Sequence, residues 1–479
     1  MPFSSATDQI ADLKSGKVSS LELVDAVIAQ IQQHDGAINA IVARDFDRAR
    51  DAAKAADKDL AAGNDRPLQG LPMTVKEAFD VEGLPTTWGL AGDHKPAGSD
   101  AVVVERLRAA GAIILGKTNI STMLGDWQSA NEVYGVTSNP WDLSKTPGGS
   151  SGGAAAAVAA GMTALEFGSD LAGSLRIPAS FCGIFAHRPS WGIVPMRGFA
   201  PPMAPRGPFA QSIDQSTVGP LARSAADLRL ALQLVAGPDS PDKTAWRLVL
   251  PEARQSRLEN FRVMVLDEHP LVPTATEIRT AMEGVARRLT DAGCKVGKQA
   301  GENPDMKDLS RTFSALLMAL MGIDMPEKKY AAAAADTQGG DGSQREHSLT
   351  MSYRDWALLD RHRLMLAAKW AEIFAHWDVV LCPAASVTAF AHDQRPMENR
   401  KLDIDGSQIA YEKLAFWSAL ATPNGLPVTT VPIGISETGL PVGMQIIGPR
   451  LEDHTPIAFA DLLERQLGYR FKAPGGGPE

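Results

Sequence analysis

The spacing of hydrophobic and polar positions changes near residue 70. Between residues 19 and 62, apolar residues such as Leu23, Val27 and Ile31 recur at helical spacing. From residue 70 onward, short apolar runs typical of buried strands alternate with helical segments. These runs are Leu71–Val75, Ala112–Leu115, Leu165–Phe167, Arg262–Leu266, Val379–Cys382, Val428–Ile435 and Gly443–Ile447. The pattern therefore predicts N-terminal helices followed by an alternating α and β region.

The direct passage from a helical segment, Ser99–Ala110, into the next apolar run is typical of an α/β fold. We expect one large domain, residues 1–479, with a central mixed, mostly parallel twisted β-sheet covered by helices. Some of the last runs lie close enough in sequence to pair antiparallel. Within the domain the sequence predicts N-terminal helices (1–65), a core (70–230), a lid-like insertion of helix and loop (about 300–350, irregular over 327–347) and a flexible tail (470–479).

Composition restricts the kind of protein. Hydrophobic residues make up 44% of the chain, charged residues 22%, and the net charge is −9 with scattered basic residues, which argues against a nucleic-acid surface. Three cysteines without a CxxC pair predict buried free thiols. The start of the chain lacks a signal-peptide pattern, and no stretch of 18 strongly apolar residues occurs. We expect a cytoplasmic enzyme, a monomer or homodimer, with a small-molecule substrate and neither nucleic acid nor membrane as a partner.

Most of the candidate catalytic residues lie in one glycine-rich stretch. It contains Thr146-Pro-Gly-Gly-Ser-Ser-Gly-Gly and, further on, Gly168-Ser-Asp-Leu-Ala-Gly-Ser-Leu-Arg-Ile-Pro178. Serines on such turns become nucleophiles only when a neighbouring base accepts their proton. The best candidate base is Lys76, which ends the apolar run starting at Leu71.

Two other interpretations of this stretch are open. A phosphate-binding loop would require the Lys-Ser/Thr ending of a P-loop or a GxGxxG pattern, and neither is present. The segment Gly148–Gly152 matches the GxSxG elbow of a histidine-dependent α/β-hydrolase esterase, but a proline-bounded polar loop precedes it where a strand should be. The nine histidines show no metal-binding spacing, so we expect no metal and no other cofactor.

Together with Lys76, the two serine loops resemble the amidase signature family, and the resemblance extends over nearly the whole chain. It implies the amidase signature fold and cleavage of amide-type C–N bonds through an acyl-serine. Ser174 would be the nucleophile, Ser150 a proton-relaying bridge after a cis Gly149–Ser150 bond, and Lys76 the general base. The 24-residue offset between Ser150 and Ser174 matches that family, and the resemblance therefore favours Ser150 as the bridge over Ser151, which is alternatively a helix cap.

The resemblance also assigns supporting roles. The backbone N–H groups of Leu171, Ala172, Gly173 and Ser174 would form the oxyanion hole. Ala172 stands where the family usually has glycine, so a left-handed backbone there would be strained. Asp170 and Arg176 flank the nucleophile and are expected to brace its loop, the alternative being an ordinary surface ion pair. To act as a base at neutral pH, Lys76 needs a pKa lowered by roughly 3 units, which costs about 4 kcal/mol.

Apolar residues on segments that face the active site in relatives suggest a hydrophobic substrate. They are Met123, Leu124, Trp127, Ile177, Phe313, Leu317 and Met321; the alternative is that they belong to the core. We expect hydrolysis of acyl or aryl amides, with carbamates (a urethanase activity) and esters as further candidates. A rival within the family is the A subunit of glutamyl-tRNA amidotransferase, which typically carries glutamine where this chain has Ile177.

Overall fold

The structure, a computed structural model, describes residues 2–204, 207, 213–298, 303–335 and 348–476. Its α-helices are α1 (Ala6–Lys14), α2 (Ser20–Ile38), α3 (Phe46–Ala61), α4 (Val102–Ala109), α5 (Gly152–Ala159), α6 (Arg176–Cys182), α7 (Ala225–Val235), α8 (Thr276–Asp291), α9 (Met306–Ile323), α10 (Glu327–Ala335), α11 (Tyr353–His376), α12 (Phe416–Ala419) and α13 (His454–Leu467). Across the described ranges, every helix falls short of the length and apolarity needed to span a bilayer.

The β-strands form one large sheet, a three-stranded sheet and two small hairpins. They are β1 (Ile41–Arg44), β2 (Pro72–Lys76), β3 (Ile113–Thr118), β4 (Ala130–Asn131), β5 (Gly135–Val136), β6 (Leu165–Asp170), β7 (Phe185–Arg188), β8 (Thr217–Ala222), β9 (Arg262–Val265), β10 (Lys295–Gly297), β11 (Val379–Pro383), β12 (Lys401–Ile404), β13 (Ser407–Ala410), β14 (Val428–Ile435) and β15 (Pro441–Ile447). Each of the seven predicted runs forms a strand.

The large sheet has eight strands in the order β10-β9-β11-β15-β14-β7-β8-β6. A mixed sheet in a single α/β domain is confirmed, but the prediction that it is mostly parallel is wrong. Among the described strands of this sheet, β10–β9 and β9–β11 pair parallel and the other neighbours pair antiparallel. The physical reason is connection length, since a parallel pair needs a crossover such as α8, whereas the short turn between β14 and β15 permits only an antiparallel hairpin.

The predicted helical region 19–62 is interrupted by a strand. Helix α2 ends at Ile38, and the left-handed backbone of its C-cap residue Asn39 (φ 58°) turns the chain. The Asp35 carboxylate then accepts the N–H of Ala40 at 2.6 Å, and β1 continues from there to pair antiparallel with β3. The sequence signals for this break are Gly36 in the last turn of the helix and Asn39 at its C-cap, a residue type that tolerates the left-handed backbone.

The predicted lid-like region is partly helical. Helices α9 and α10 lie in it, so the irregular segment predicted for 327–347 is wrong over Glu327–Ala335, where a run of alanines favours a helix. Residues 336–347 lie outside the described residues, and a lid function stays a prediction. In the predicted flexible tail, the Phe471 ring stacks on Phe3 at 6.4 Å between ring centroids, while residues 477–479 lie outside the described part.

The fold brings the ends of two strands from different sheets together. Strand β2 of the three-stranded sheet ends at Lys76, and β6 of the large sheet ends at Asp170. The first serine loop leads into α5, which is completely buried. A side chain at Gly153 could not be accommodated, because a Cβ there would lie 2.4 Å from the Asn119 backbone nitrogen. The glycines after the first serine loop therefore let α5 pack directly against the strand ends.

Candidate active site

Lys76 lies at the centre of the site and is fully buried. Its Nζ donates hydrogen bonds to Ser150 Oγ at 2.8 Å, Ser151 Oγ at 2.8 Å and Ser169 Oγ at 2.9 Å. The three partners are hydroxyls, and no carboxylate among the described residues forms an ion pair with this nitrogen. The solvated or salt-bridged state usual for a surface lysine is therefore absent at this position.

The surroundings of Lys76 adjust its proton affinity. Burial lowers the pKa of Lys76 to about 7, an effect that the negative charge of Asp170, and that of Glu166 when it is ionised, partly oppose. Desolvation disfavours the ammonium form because the charge loses its hydration. A substantial fraction of neutral amine is therefore present near pH 7, as a general base requires.

The first serine loop has the predicted backbone: the Gly149–Ser150 peptide bond is cis. Ser151 immediately precedes α5, but its side chain makes no capping hydrogen bond, so the helix-cap interpretation is wrong. Instead, the Ser151 hydroxyl accepts from Lys76 and donates to the Ser169 carbonyl oxygen at 3.2 Å. Its proton is thus committed to the backbone of β6.

Ser150 differs from Ser151 in having a hydroxyl proton to give. Ser150 Oγ accepts from Lys76 and donates to no residue that the structure describes. The predicted nucleophile, Ser174, lies on the adjacent loop, where its carbonyl oxygen accepts the Ser151 N–H at 3.3 Å. Within the described residues Ser174 Oγ makes no hydrogen bond, so the structure joins Lys76 to Ser150 directly and Ser174 to the first serine loop through the backbone.

The second serine loop is held by a buried ion pair. Arg176 donates to Asp170 from Nε at 2.9 Å and from Nη2 at 2.7 Å, and neither side chain is exposed. The alternative of a surface ion pair is therefore wrong. Burial alone would raise the pKa of Asp170, but the Arg176 guanidinium holds that pKa well below its usual range. Asp170 also accepts the backbone N–H groups of Gly173 at 3.0 Å and Leu175 at 3.1 Å, so its carboxylate shapes the loop around Ser174.

The predicted oxyanion hole needs one correction. Because the Gly173 N–H already donates to Asp170, it is committed within the loop. The N–H groups of Leu171, Ala172 and Ser174 donate to no described residue and remain available. The left-handed backbone of the loop is at Gly173 (φ 95°), whereas Ala172 is not left-handed, so the expected strain at Ala172 does not arise.

The predicted substrate-pocket residues separate into different environments. Ile177 and Phe313 are completely buried in the main hydrophobic core, which supports the core interpretation for both. Three more are partly buried and pack against that core, namely Met123, Leu124 and Leu317. Met321 is 47% exposed on α9. Trp127 is buried, and its Nε1 donates to the Ala172 carbonyl oxygen at 2.8 Å, so its polar end is directed to the nucleophile loop rather than to a substrate.

Sequence reasoning missed Glu166, a fully buried carboxyl group on β6. It accepts hydrogen bonds from the hydroxyls of Thr74 and Thr118, which precede or pair with Lys76 in the three-stranded sheet. Burial raises the pKa of Glu166 to about 8. A lone glutamate inside the apolar run Leu165–Phe167 was the available signal.

The histidine-dependent hydrolase can be set aside on the same geometry. No histidine in the described ranges contacts Ser150, Ser151 or Ser174. The buried His187 instead lies 3.0 Å from Thr429 Oγ1 and 3.2 Å from Asp453 Oδ1, both outside the serine loops. A nucleophile elbow would also need a strand before Gly149, and that segment is irregular.

Comparison with known proteins decides the family. The amidase family profile matches residues 22–456. The chain belongs to the amidase family. Among curated amidase relatives, the A subunit of the glutamyl-tRNA(Gln) amidotransferase of Anaeromyxobacter sp. (strain K) is 33% identical, covering 96% of this chain and 95% of that protein.

Solved amidase structures share the fold of this chain over nearly its whole length. A bacterial aryl acylamidase of the amidase signature family is 25% identical with a TM-score of 0.80, covering 100% of this chain and 99% of that one. A 6-aminohexanoate cyclic dimer hydrolase, solved with its substrate, is 25% identical with a TM-score of 0.79 and 99% coverage of both chains. The chain is thus an amidase-type hydrolase of C–N amide bonds with the amidase signature fold.

Proposed function

We propose that this amidase cleaves hydrophobic acyl or aryl amides through an acyl-serine formed on Ser174. The observation that carries the proposal is the buried Lys76 amine in contact with Ser150, whose own proton is uncommitted. Neutral Lys76 accepts the Ser150 proton as Ser150 accepts that of Ser174, and the Ser174 oxygen attacks the amide carbon. The protons return by the same route to the leaving amine, and water then hydrolyses the acyl-serine.

The charge distribution near the loop favours an uncharged substrate. Arg176 is paired with Asp170, and Asp126, next to Trp127, accepts from Arg400 at 2.5 Å and from the Tyr411 hydroxyl at 2.7 Å. The charged groups described around the loop are thus engaged with one another. A substrate with its own ammonium and carboxylate groups would need charges free to bind it, whereas an acyl or aryl amide does not. Carbamates and esters, which form the same kind of serine intermediate, extend the proposal.

The A subunit of the amidotransferase is the second candidate, because the protein of that name from Anaeromyxobacter sp. (strain K) is 33% identical and covers 96% of this chain. Such a subunit would release ammonia from glutamine. Against this assignment, Ile177 stands in place of the glutamine typical of that subunit, and its side chain is buried. Glutamine hydrolysis therefore belongs in the same test.

Two measurements test the proposal. A fluorophosphonate should add one mass increment to the wild type and to Ser144→Ala, an exposed serine of the preceding loop, but not to Ser174→Ala. Steady-state assays should then compare an acyl anilide, an aryl carbamate, an aryl ester and L-glutamine. Failure to label Ser174 would contradict the mechanism, while turnover of glutamine alone would favour the amidotransferase role.

A further inference from the structure

We propose that Trp127 is a positioning residue that fixes the oxyanion hole and does not bind the substrate; this inference rests on the proposed function of Ser174. It concerns one peptide group, the one between Ala172 and Gly173. The carbonyl oxygen of that group accepts the Trp127 indole N–H at 2.8 Å. The N–H of the same group donates to Asp170 Oδ1 at 3.0 Å. Because a peptide group is planar, hydrogen bonds at both ends fix its orientation.

The two free N–H groups nearest the nucleophile lie on either side of this fixed peptide. One belongs to Ala172 and the other to Ser174, and neither donates to any residue in the described part of the chain. Rotation of the Ala172–Gly173 peptide changes ψ of Ala172 and φ of Gly173, and unless these two changes cancel it also moves the flanking peptides that carry the two N–H groups. Left-handed Gly173 (φ 95°) lacks a Cβ that would resist such a rotation. The hydrogen bonds therefore supply a restraint that the backbone lacks.

Trp127 contacts the first serine loop as well. A Cβ placed on Gly149 would lie 2.8 Å from the Trp127 carbonyl carbon, so the two backbones are packed against each other beside the cis bond. The Trp127 ring also meets the edge of Tyr411, with 5.5 Å between ring centroids, and the residue is only 8% exposed. One residue thus contacts the loop of Ser150 through its main chain and the loop of Ser174 through its side chain.

Such a restraint should appear in the rate of the chemical step. Oxyanion donors act by being oriented in advance toward the oxygen that becomes charged. A misplacement that leaves substrate binding intact lowers kcat and changes KM little. A pocket residue, by contrast, would change KM when its surface is altered.

The decisive variant is Trp127→Phe, which removes the indole N–H and keeps an aromatic ring. Its matched control is Trp141→Phe, because Trp141 Nε1 donates to the Cys182 carbonyl oxygen at 2.9 Å, outside the two serine loops. We expect Trp127→Phe to lower kcat, and the rate of fluorophosphonate labelling of Ser174, by about tenfold or more. KM should stay within about twofold of wild type, and Trp141→Phe should retain both rates.

A second variant removes the N–H without changing the ring shape. Benzothienylalanine at position 127 places a sulfur where the indole nitrogen stands, and it should reproduce the loss of rate even if Trp127→Phe folds poorly. Labelling of Trp127→Phe at the rate of Trp141→Phe would overturn the inference, as would a raised KM with unchanged kcat. A wild type that fluorophosphonate does not label would contradict the proposed function itself.

Discussion

Lys76 Nζ lies 2.8 Å from Ser150 Oγ, although 74 positions separate the two residues in the chain. The contact forms because β2 delivers the lysine to the point where the first serine loop enters α5. Burial there removes the hydration that keeps a surface lysine charged. The distance and the burial together favour the neutral, proton-accepting amine that the proposed general base requires, and variants of its neighbours can test that role.

The pH dependence of catalysis should report the Lys76 amine. Only the neutral amine accepts a proton, so activity falls progressively as pH drops below its pKa and rises as pH passes through it. With that pKa lowered to about 7, kcat/KM for an uncharged anilide should rise between about pH 6 and 8 and then level off. The Lys76→Met substitution should lower kcat/KM by about 10²-fold or more. An acid limb near pH 4, or an active Lys76→Met variant, would contradict this role.

The two serines that contact Lys76 should differ in importance. Ser150 has a proton to relay, whereas the Ser151 proton is bonded to the Ser169 carbonyl. Ser150→Ala should lower kcat by about 10²-fold or more, the usual contribution of proton transfer. Ser151→Ala, the matched control, should lower kcat less and thermal stability more, because it removes a buried backbone partner. Equal loss of kcat in the two variants would argue against Ser150 as the relay.

The buried ion pair under the nucleophile should be costly to break. Asp170→Asn leaves the Arg176 guanidinium uncompensated in a site where neither group is exposed, which typically costs about 3–5 kcal/mol. The surface pair of Asp461 and Arg465 on α13 offers a control, and Asp461→Asn should change the free energy of unfolding by about 0.5 kcal/mol or less. Urea unfolding of the two variants checks this prediction: relative to wild type, the free energy of unfolding should fall by a large amount in Asp170→Asn and change little in Asp461→Asn.

Glu166 should make stability depend on pH. Burial raises its pKa in the folded state to about 8, above the ordinary value of 4.5. Below about pH 4.5, Glu166 is protonated in both the folded and the unfolded state, and its full contribution to the free energy of unfolding is present. That contribution is lost as pH rises through about 8, and each unit of pKa difference between the two states is worth about 1.4 kcal/mol. Glu166→Gln cannot ionise, so its melting temperature should gain more over wild type at pH 9 than at pH 5. A difference independent of pH would show that Glu166 does not titrate in this way.

Local pattern was sufficient to predict much of this protein. The runs at Leu165–Phe167 and Val428–Ile435 are strands because apolar residues crowd there, and glycine-rich turns placed Ser150 and Ser174 on loops. Strand β7 escaped prediction because it carries His187 and Arg188, which are polar yet buried. Their burial depends on partners far along the chain: the Arg188 guanidinium, for example, donates to the Leu426 carbonyl oxygen at 2.8 Å. A short stretch of sequence around β7 does not contain these distant partners, so it cannot predict that His187 and Arg188 are buried.

The site shows the same limit. Lys76 and the cis bond before Ser150 were predicted, but the partners that adjust them were not. Glu166 contacts the strand of Lys76 only after β2, β3 and β6 have assembled. Trp127 looked like a pocket residue because apolarity was its only visible property, whereas its hydrogen bond to Ala172 appears only in three dimensions.

Arg176 links the loop around Ser174 to residues that come much later in the chain. Besides Asp170, its guanidinium donates to the Ser418 carbonyl oxygen at 3.1 Å, Thr422 Oγ1 at 2.8 Å and Gln445 Oε1 at 2.9 Å, residues more than 240 positions later. On the ribosome, the nucleophile is synthesised long before these acceptors leave the exit tunnel. Until they arrive, the arginine has donors without acceptors and the loop around Ser174 is incompletely anchored. We therefore expect the loop around Ser174 to reach its final geometry only after the segment that carries Ser418, Thr422 and Gln445 has folded against it.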